Sequence, residues 1–221
     1  SGATVPLLNG NNQFSGQIAT AALLGNFLAD VPTFTGGVTV AAGDVNGDGK
    51  ADVITGLSAG GKPRVKIIDG TKLNLVKANK EIKNAALLGN VLALPPATLR
   101  GVFVAAGDVN GDGKADVIVG AGPNGGPTVK VIDGTKLTQV LSTGAINPAA
   151  LLHNTAAFAS SFKGGVRVGA VDLNGDGKDD LLLAGGVGNP SQVRVLSGLT
   201  LAELDNFFAF GSLKGAFAAG G

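Results

Sequence analysis

Three nine-residue segments of nearly identical sequence stand 64 residues apart, and this fixed step restricts the chain to a tandem-repeat architecture. Asp44 to Asp52 and Asp108 to Asp116 both read Asp-Val-Asn-Gly-Asp-Gly-Lys-Ala-Asp. Asp172 to Asp180 differs only in Leu for Val and Asp for Ala. Other features keep the same step. Ala21-Ala-Leu-Leu24 recurs as Ala85-Ala-Leu-Leu88 and Ala149-Ala-Leu-Leu152. Gly36-Gly37 recurs as Arg100-Gly101 and Gly164-Gly165, and Asp69-Gly70 recurs as Asp133-Gly134 and, weakened, Ser197-Gly198. The repeats therefore span approximately 20–83, 84–147 and 148–211. One such unit cannot bury both of its apolar faces, so neighbours must stack into a single domain, 1–221.

The runs flanking each segment are short, apolar and largely β-branched, which predicts strands. In the first repeat, Val38 to Gly43 leads into the Asp-rich segment. Asp52 to Gly56 follows it, and a Gly-rich turn covers Ser58 to Pro63. A third strand, Arg64 to Ile68, closes with the Asp69-Gly70 turn. A fourth is expected near Leu73 to Ala78. A connector from Asn84 to Thr98 has room for a short helix, limited by Gly89, Pro95 and Pro96. Three or four short strands per unit in tandem predict an all-β chain, a β-propeller. The ends extend the pattern. Ala3 to Gly10 is similar to Pro127 to Gly134, a third strand with its turn, and Leu213 to Gly220 is similar to Leu99 to Gly107, a first strand. The expected ring has about four blades, closed by termini 1–19 and 212–221 in a blade without an Asp-rich loop. The competing reading is a fragment, or a protomer that completes a larger ring or homo-oligomer with another chain.

The loop chemistry predicts calcium, a hard cation that takes six to eight oxygens. Asp44, Asn46 and Asp48 offer side-chain oxygens at positions 1, 3 and 5, and Gly49 permits the sharp turn. Lys50 contributes its carbonyl at position 7, and Asp52 adds a carboxylate at position 9. The second loop supplies Asp108, Asn110, Asp112, Lys114 and Asp116. The third supplies Asp172, Asn174, Asp176, Lys178 and Asp180. An EF-hand requires Glu at position 12, where Thr55, Val119 and Leu183 stand instead, so each loop joins strand to strand. A dockerin has similar loops but in a short helical pair. The alternative is an Asn-Gly or Asp-Gly hairpin turn without metal. Three complete copies favour about three structural Ca²⁺ ions, one per loop.

Charge is divided unevenly. The net charge is +1, yet the three loops hold ten Asp and three Lys, and the remainder is basic. The richest basic run is Lys62, Arg64, Lys66, Lys72, Lys77, Lys80 and Lys83. It reads as solvated lysines, with a polyanion patch as the alternative. Aromatics do not interleave with it, which argues against nucleic acid. There is no Cys, so calcium is the available staple. The lack of Met is expected of a processed or excised form. No apolar stretch is long enough to predict a membrane span. His153 is the only histidine, Ser160 and Ser161 have no nearby base, and Glu81 and Glu203 are isolated, so the chain is not expected to be an enzyme.

The stretch Gly37 to Gly56 and its two later copies resemble the FG-GAP/VCBS repeat family, found in integrin α-chain propellers and many bacterial secreted proteins. The resemblance covers roughly residues 36–221, and Phe207-Phe-Ala-Phe210 is similar to the opening of a blade in that family. The family's name motif is matched only loosely, nearest at Gly120-Ala-Gly-Pro123. The resemblance implies a propeller with calcium between the first two strands of each blade. Millimolar extracellular calcium suits such sites. The expected role is therefore an extracellular or cell-surface structural, adhesive or protein-interaction module. The alternatives are a lectin-like binder of carbohydrate or anionic polysaccharide, weakened by the absence of Trp and Tyr, and a non-catalytic fragment of a secreted polysaccharide-active enzyme.

Overall fold

The apolar runs on either side of each Asp-rich loop become paired strands. A computed structural model of the chain describes residues 24–95, 100–188, 191–209 and 215–216. Among them are three antiparallel four-stranded sheets whose strand order follows the sequence. The first contains β1 (Val38–Gly43), β2 (Asp52–Leu57), β3 (Arg64–Ile68) and β4 (Leu87–Leu92). The second contains β5 (Val102–Gly107), β6 (Asp116–Ala121), β7 (Thr128–Ile132) and β8 (Leu151–Ala156). The third contains β9 (Val166–Val171), β10 (Asp180–Gly185), β11 (Gln192–Leu196) and β12 (Glu203–Phe208). Each Asp-rich loop is closed at its base by a strand pair: Gly43 with Asp52, Gly107 with Asp116, Val171 with Asp180.

Period-two alternation makes the sheets stack. In β6, Val117 and Val119 point into a core shared with Ile54, Val65 and Ile67 of the first sheet, while Ile118 points the other way, toward Val166, Leu181 and Leu183 of the third. The middle sheet is thus buried on both faces. Close approach needs small residues at the crossing: a Cβ at Gly120 would stand 2.1 Å from the Val166 carbonyl oxygen. Polar links add to the contact. Thr39 Oγ1 donates to the Val102 carbonyl at 3.1 Å, and Ala115 N donates to the Asp44 carbonyl at 2.8 Å.

The fourth strand is not where the sequence placed it. Residues 72–83 form an excursion with only isolated bridges, Val76 to Ile82 within it and Glu81 to Leu28, and the strand begins at Leu87, after a 3-10 turn at Asn84–Ala86. The edge of β3 decides this. Leu87 to Leu92 pair along it, whereas Leu73, Leu75 and Val76 pack over Ile68, Ile82 and Ala86 on the sheet's flank. At 85–88 and 149–152 the Ala-Ala-Leu-Leu motif is therefore the turn into strand four, and the first two sheets run past the predicted repeat boundaries at 83 and 147. The second unit repeats the excursion (bridge Val140 to Ile146); in the third, residues 197–202 join β11 directly to β12. Phe207 and Phe208 consequently end a fourth strand rather than open a blade.

Among the described residues the sheets form an open row. Val38 and Val40 are 44% and 65% exposed, whereas their counterparts Val102 and Val104 are 1% and 7%, and Val166 and Val168 are 0% and 5%. The outer face of β1 thus lacks the neighbour that covers β5 and β9. Both flanks nevertheless repeat contacts seen at the inner junctions. Leu28 N donates to the Lys80 carbonyl at 2.8 Å, as Leu92 N does to Gly144 at 2.9 Å, one repeat later. Gly215 has φ +78° and lies over Gly185 and Gly186, as Gly165 (φ +82°) lies over Ala121 and Gly122. The predicted strands at Ala3 to Gly10 and Leu213 to Gly220 lie outside the described residues, Gly215 and Ala216 excepted.

Candidate metal centre

The three loops share one hydrogen-bond network, and its origin is local. An Asx side chain accepts from the backbone N–H two residues on, so alternate Asp and Asn residues fold a chain into consecutive tight turns. Asn46 Oδ1 accepts from Asp48 N at 2.8 Å, and Asp48 Oδ1 accepts from Lys50 N at 2.9 Å. Asp44 anchors the turn: Oδ1 accepts from Gly47 N (2.7 Å) and Asp48 N (3.1 Å), and Oδ2 accepts from Gly49 N (2.7 Å). Asp108 and Asp172 repeat this in their own loops, with every corresponding distance between 2.7 and 3.2 Å. The second glycine of each loop carries the left-handed backbone that lets the turn close: φ is +81° at Gly49, +83° at Gly113 and +80° at Gly177.

Position 9 behaves differently from positions 1, 3 and 5. Asp52 and Asp116 are fully buried and Asp180 is 1% exposed. Asp52 Oδ2 accepts from Val45 N (3.0 Å) and Asn46 N (3.3 Å), and Oδ1 accepts from Gly70 N (2.9 Å) in the turn after β3. Asp116 does the same with Val109, Asn110 and Gly134, and Asp180 with Leu173, Asn174 and Gly198. This carboxylate ties the loop to its own sheet. Three N–H bonds leave about one of its four lone-pair directions for a cation. Burial pushes Asp52 above the usual carboxylate range and Asp116 up to about 7, against the pull of the N–H donors.

The donor set fits a hard cation in type, since every side chain offered is an oxygen ligand. Among the described residues no three Asp, Glu, His or Cys side chains converge as a ready-made cage. A cation in the first loop would therefore rest on Asp44, Asn46, Asp48 and the Lys50 carbonyl together, with Asp52 at the base. Asn46 Nδ2 donates to Asp48 Oδ2 at 3.1 Å, which holds the two side chains side by side.

Successive loops touch. The stem of Lys114 lies over the first loop, its Cε 2.8 Å from where a Cβ on Gly47 would stand, and Lys178 lies likewise over Gly111. In the second and third loops position 7 thus supplies a covering side chain. Asp179, which stands where the other loops have Ala51 and Ala115, accepts from Asp108 N at 2.8 Å. Burial raises its pKa, and nearby Asp108, Asp172 and Asp180 add to the rise. The sequence marks Asp179 only as a departure from the repeat; its bond to the second loop comes from sheet stacking.

The basic run does not form a bare patch. Lys66 pairs with Asp30 (3.6 Å) and donates to the Ala29 carbonyl. Lys72 pairs with Asp69 (2.7 Å), Lys77 pairs with Glu81 (2.9 Å), and Arg64 donates to Asn90 (3.0 Å). His153 is a packing residue, with Nε2 2.5 Å from the Gly198 carbonyl oxygen across the second interface. Among the described residues no helix is long and apolar enough to cross a membrane.

The FG-GAP repeat family matches the chain over residues 36–63 and 100–134, each match beginning just before a first strand; the first ends at the start of β3 and the second just past β7. Three solved structures also align with it. They are the exotype rhamnogalacturonan lyase YesX (14% identity, TM-score 0.39, 90% of this chain), a Bacillus licheniformis rhamnogalacturonan lyase PL11 (14%, 0.35, 78%) and the rhamnogalacturonan lyase YesW (16%, 0.36, 84%). The chain spans about two-fifths of the length of each: 40%, 40% and 42%.

Proposed function

We propose that this chain, which carries FG-GAP repeats, is a calcium-stapled β-propeller that serves as an extracellular structural or interaction module. The observation that carries this reading is the loop network, reproduced three times with only oxygen donors at positions 1, 3, 5, 7 and 9. Asp44, Asn46, Asp48, Lys50 and Asp52 hold the first ion, and their counterparts hold the other two. The ions supply no chemistry beyond charge: they offset the mutual repulsion of the loop carboxylates and the cost of burying Asp116. Ring closure by the two flanking segments completes the reading. It is supported by the uncovered valines of β1 and by the repeat geometry at Leu28 and Gly215.

The test is calorimetric titration of metal-stripped protein with calcium, followed by thermal melting. About three sites are expected. Asp108→Ala should remove one, and at calcium near 100 times the dissociation constant it should lower stability by about 3 kcal/mol, a drop of about 5–10 °C. Wild-type and Asp108→Ala proteins that bind equal amounts of calcium and melt together would overturn the proposal.

A further inference from the structure

A cleft of about 640 Å³ opens between the second and third sheets, beside the turns that follow β6 and β10. The Asp-rich loops precede those same strands, so the cleft lies at the opposite end, about 20 Å away along a six-residue strand. Its volume is within the range of small-molecule sites. Phe158 and Phe162 form one wall, edge to face with centroids 5.3 Å apart and planes at 73°. Among the described residues Lys163 and Arg167 are its cations, and no carboxylate lines it. Asn124 and Gln192 supply amides.

The cleft is built rather than incidental. Asn124 N donates to the Lys163 carbonyl at 2.6 Å, tying its two sides together. The Arg167 guanidinium sits 5.3 Å from the centre of the Phe103 ring, and Gln192 Nε2 donates to Asn206 Oδ1 at 2.9 Å. Residues that a repeat needs for folding recur at the 64-residue step. Phe162 does, as Phe34 of the first repeat, but the others do not: counterparts of Phe158, Lys163, Arg167, Asn124 and Gln192 are Leu94, Leu99, Phe103, Gly60 and Thr128. The equivalent cleft one repeat earlier, of about 320 Å³, holds Arg100, Lys130 and Asn154 at other positions and has no aromatic wall among the described residues; the pair of phenylalanines beside two cations and two amides distinguishes this junction.

We propose that the cleft binds an acidic oligosaccharide. The carboxylate of a uronic acid unit meets Lys163 and Arg167, a sugar face lies on Phe162, and hydroxyls bond to Asn124 and Gln192. Cations answer carboxylate charge, amides pair with vicinal hydroxyls as donor and acceptor, and an aromatic ring takes the apolar C–H face of a sugar. An acidic peptide would draw on an open strand edge for its main chain; at this end the strands finish in turns. The inference goes beyond the calcium reading and does not depend on it.

The experiment is calorimetric titration of the full chain with trigalacturonate and with its methyl triester, each in calcium and in chelator. Binding of the acid at least tenfold tighter than the ester, in both conditions, is expected. Lys163 is exposed, so Lys163→Glu should melt with wild type and still weaken binding at least tenfold. Arg167→Gln should weaken it similarly, and Asp108→Ala should not. Equal binding of acid and ester, no binding, a hexaglutamate peptide binding as tightly, or wild-type affinity in both cleft variants would each overturn the assignment. Binding lost in chelator by a chain that circular dichroism shows to be still folded would do so as well, since it would put the ligand at the loops.

Discussion

Asp69 shows how much a single carboxylate can do at the end of a strand. It accepts from Thr71 N at 2.9 Å and pairs with Lys72 at 2.7 Å, and it is almost fully buried. The Lys72 ammonium, helped by Thr71, holds it at a pKa of about 2, against 3.8 in an unfolded chain. The folded state therefore prefers the ionised form. The resulting stability is fully present above pH 4 and is lost as pH falls through about 2. Asp133 is opposed by burial, but Lys136 and Thr135 outweigh it and hold it low too. Asp69→Asn should thus destabilise the protein by about 1–3 kcal/mol at pH 6 and by much less at pH 2. Urea melts at both values check this, and an equal loss at each would refute it. At this scale the sequence was informative. Asx turns depend on residues two to five apart, so the loop acceptors at 44, 46 and 48 could be placed from spacing alone. The bond from Gly70 N to Asp52 could not, because Gly70 reaches it from the turn after the neighbouring strand β3.

Elements were legible where their pairing is local. The first three strands of the repeat sit at the predicted positions because hairpins with short loops leave little choice of partner. The fourth was misplaced, since two apolar segments competed for the edge of β3 and alternation alone does not say which wins. Packing between elements gives its own prediction. Gly120 meets the Val166 carbonyl, whereas nothing stands within 4 Å of a Cβ on Gly113. Gly120→Ala must push the second and third sheets apart, at a cost of about 1–3 kcal/mol. Gly113→Ala meets only the backbone strain of φ +83°, about 1–2 kcal/mol. Amide exchange separates them: the first should raise exchange in β6 and β9 together, and the second only around its own loop. Indistinguishable exchange maps would count against this account of the interface.

For the whole molecule, the decisive surface is the outer face of β1. Val40 is 65% exposed within the described residues. If the flanking segments close a ring, Val40 is covered, and Val40→Lys buries a charge without a partner. Stability should then fall by about 3 kcal/mol or more. A melt unchanged from wild type would mean that the face stays open. The cleft between the second and third sheets also belongs to this scale. Its side chains come from two repeats, and no reading along the chain brings Asn124 to Lys163.

The main-chain bonds between loops run in one sense. Ala115 N reaches back to the carbonyl of Asp44, and Asp179 N reaches back to that of Asp108. Under tension along the row, these links lie in series rather than side by side. A pulling force would not be shared among them; it would open one junction at a time, like a seam. Each junction carries an Asp-rich loop at its margin, so the places where the molecule would first tear are also the places where an ion could rivet it.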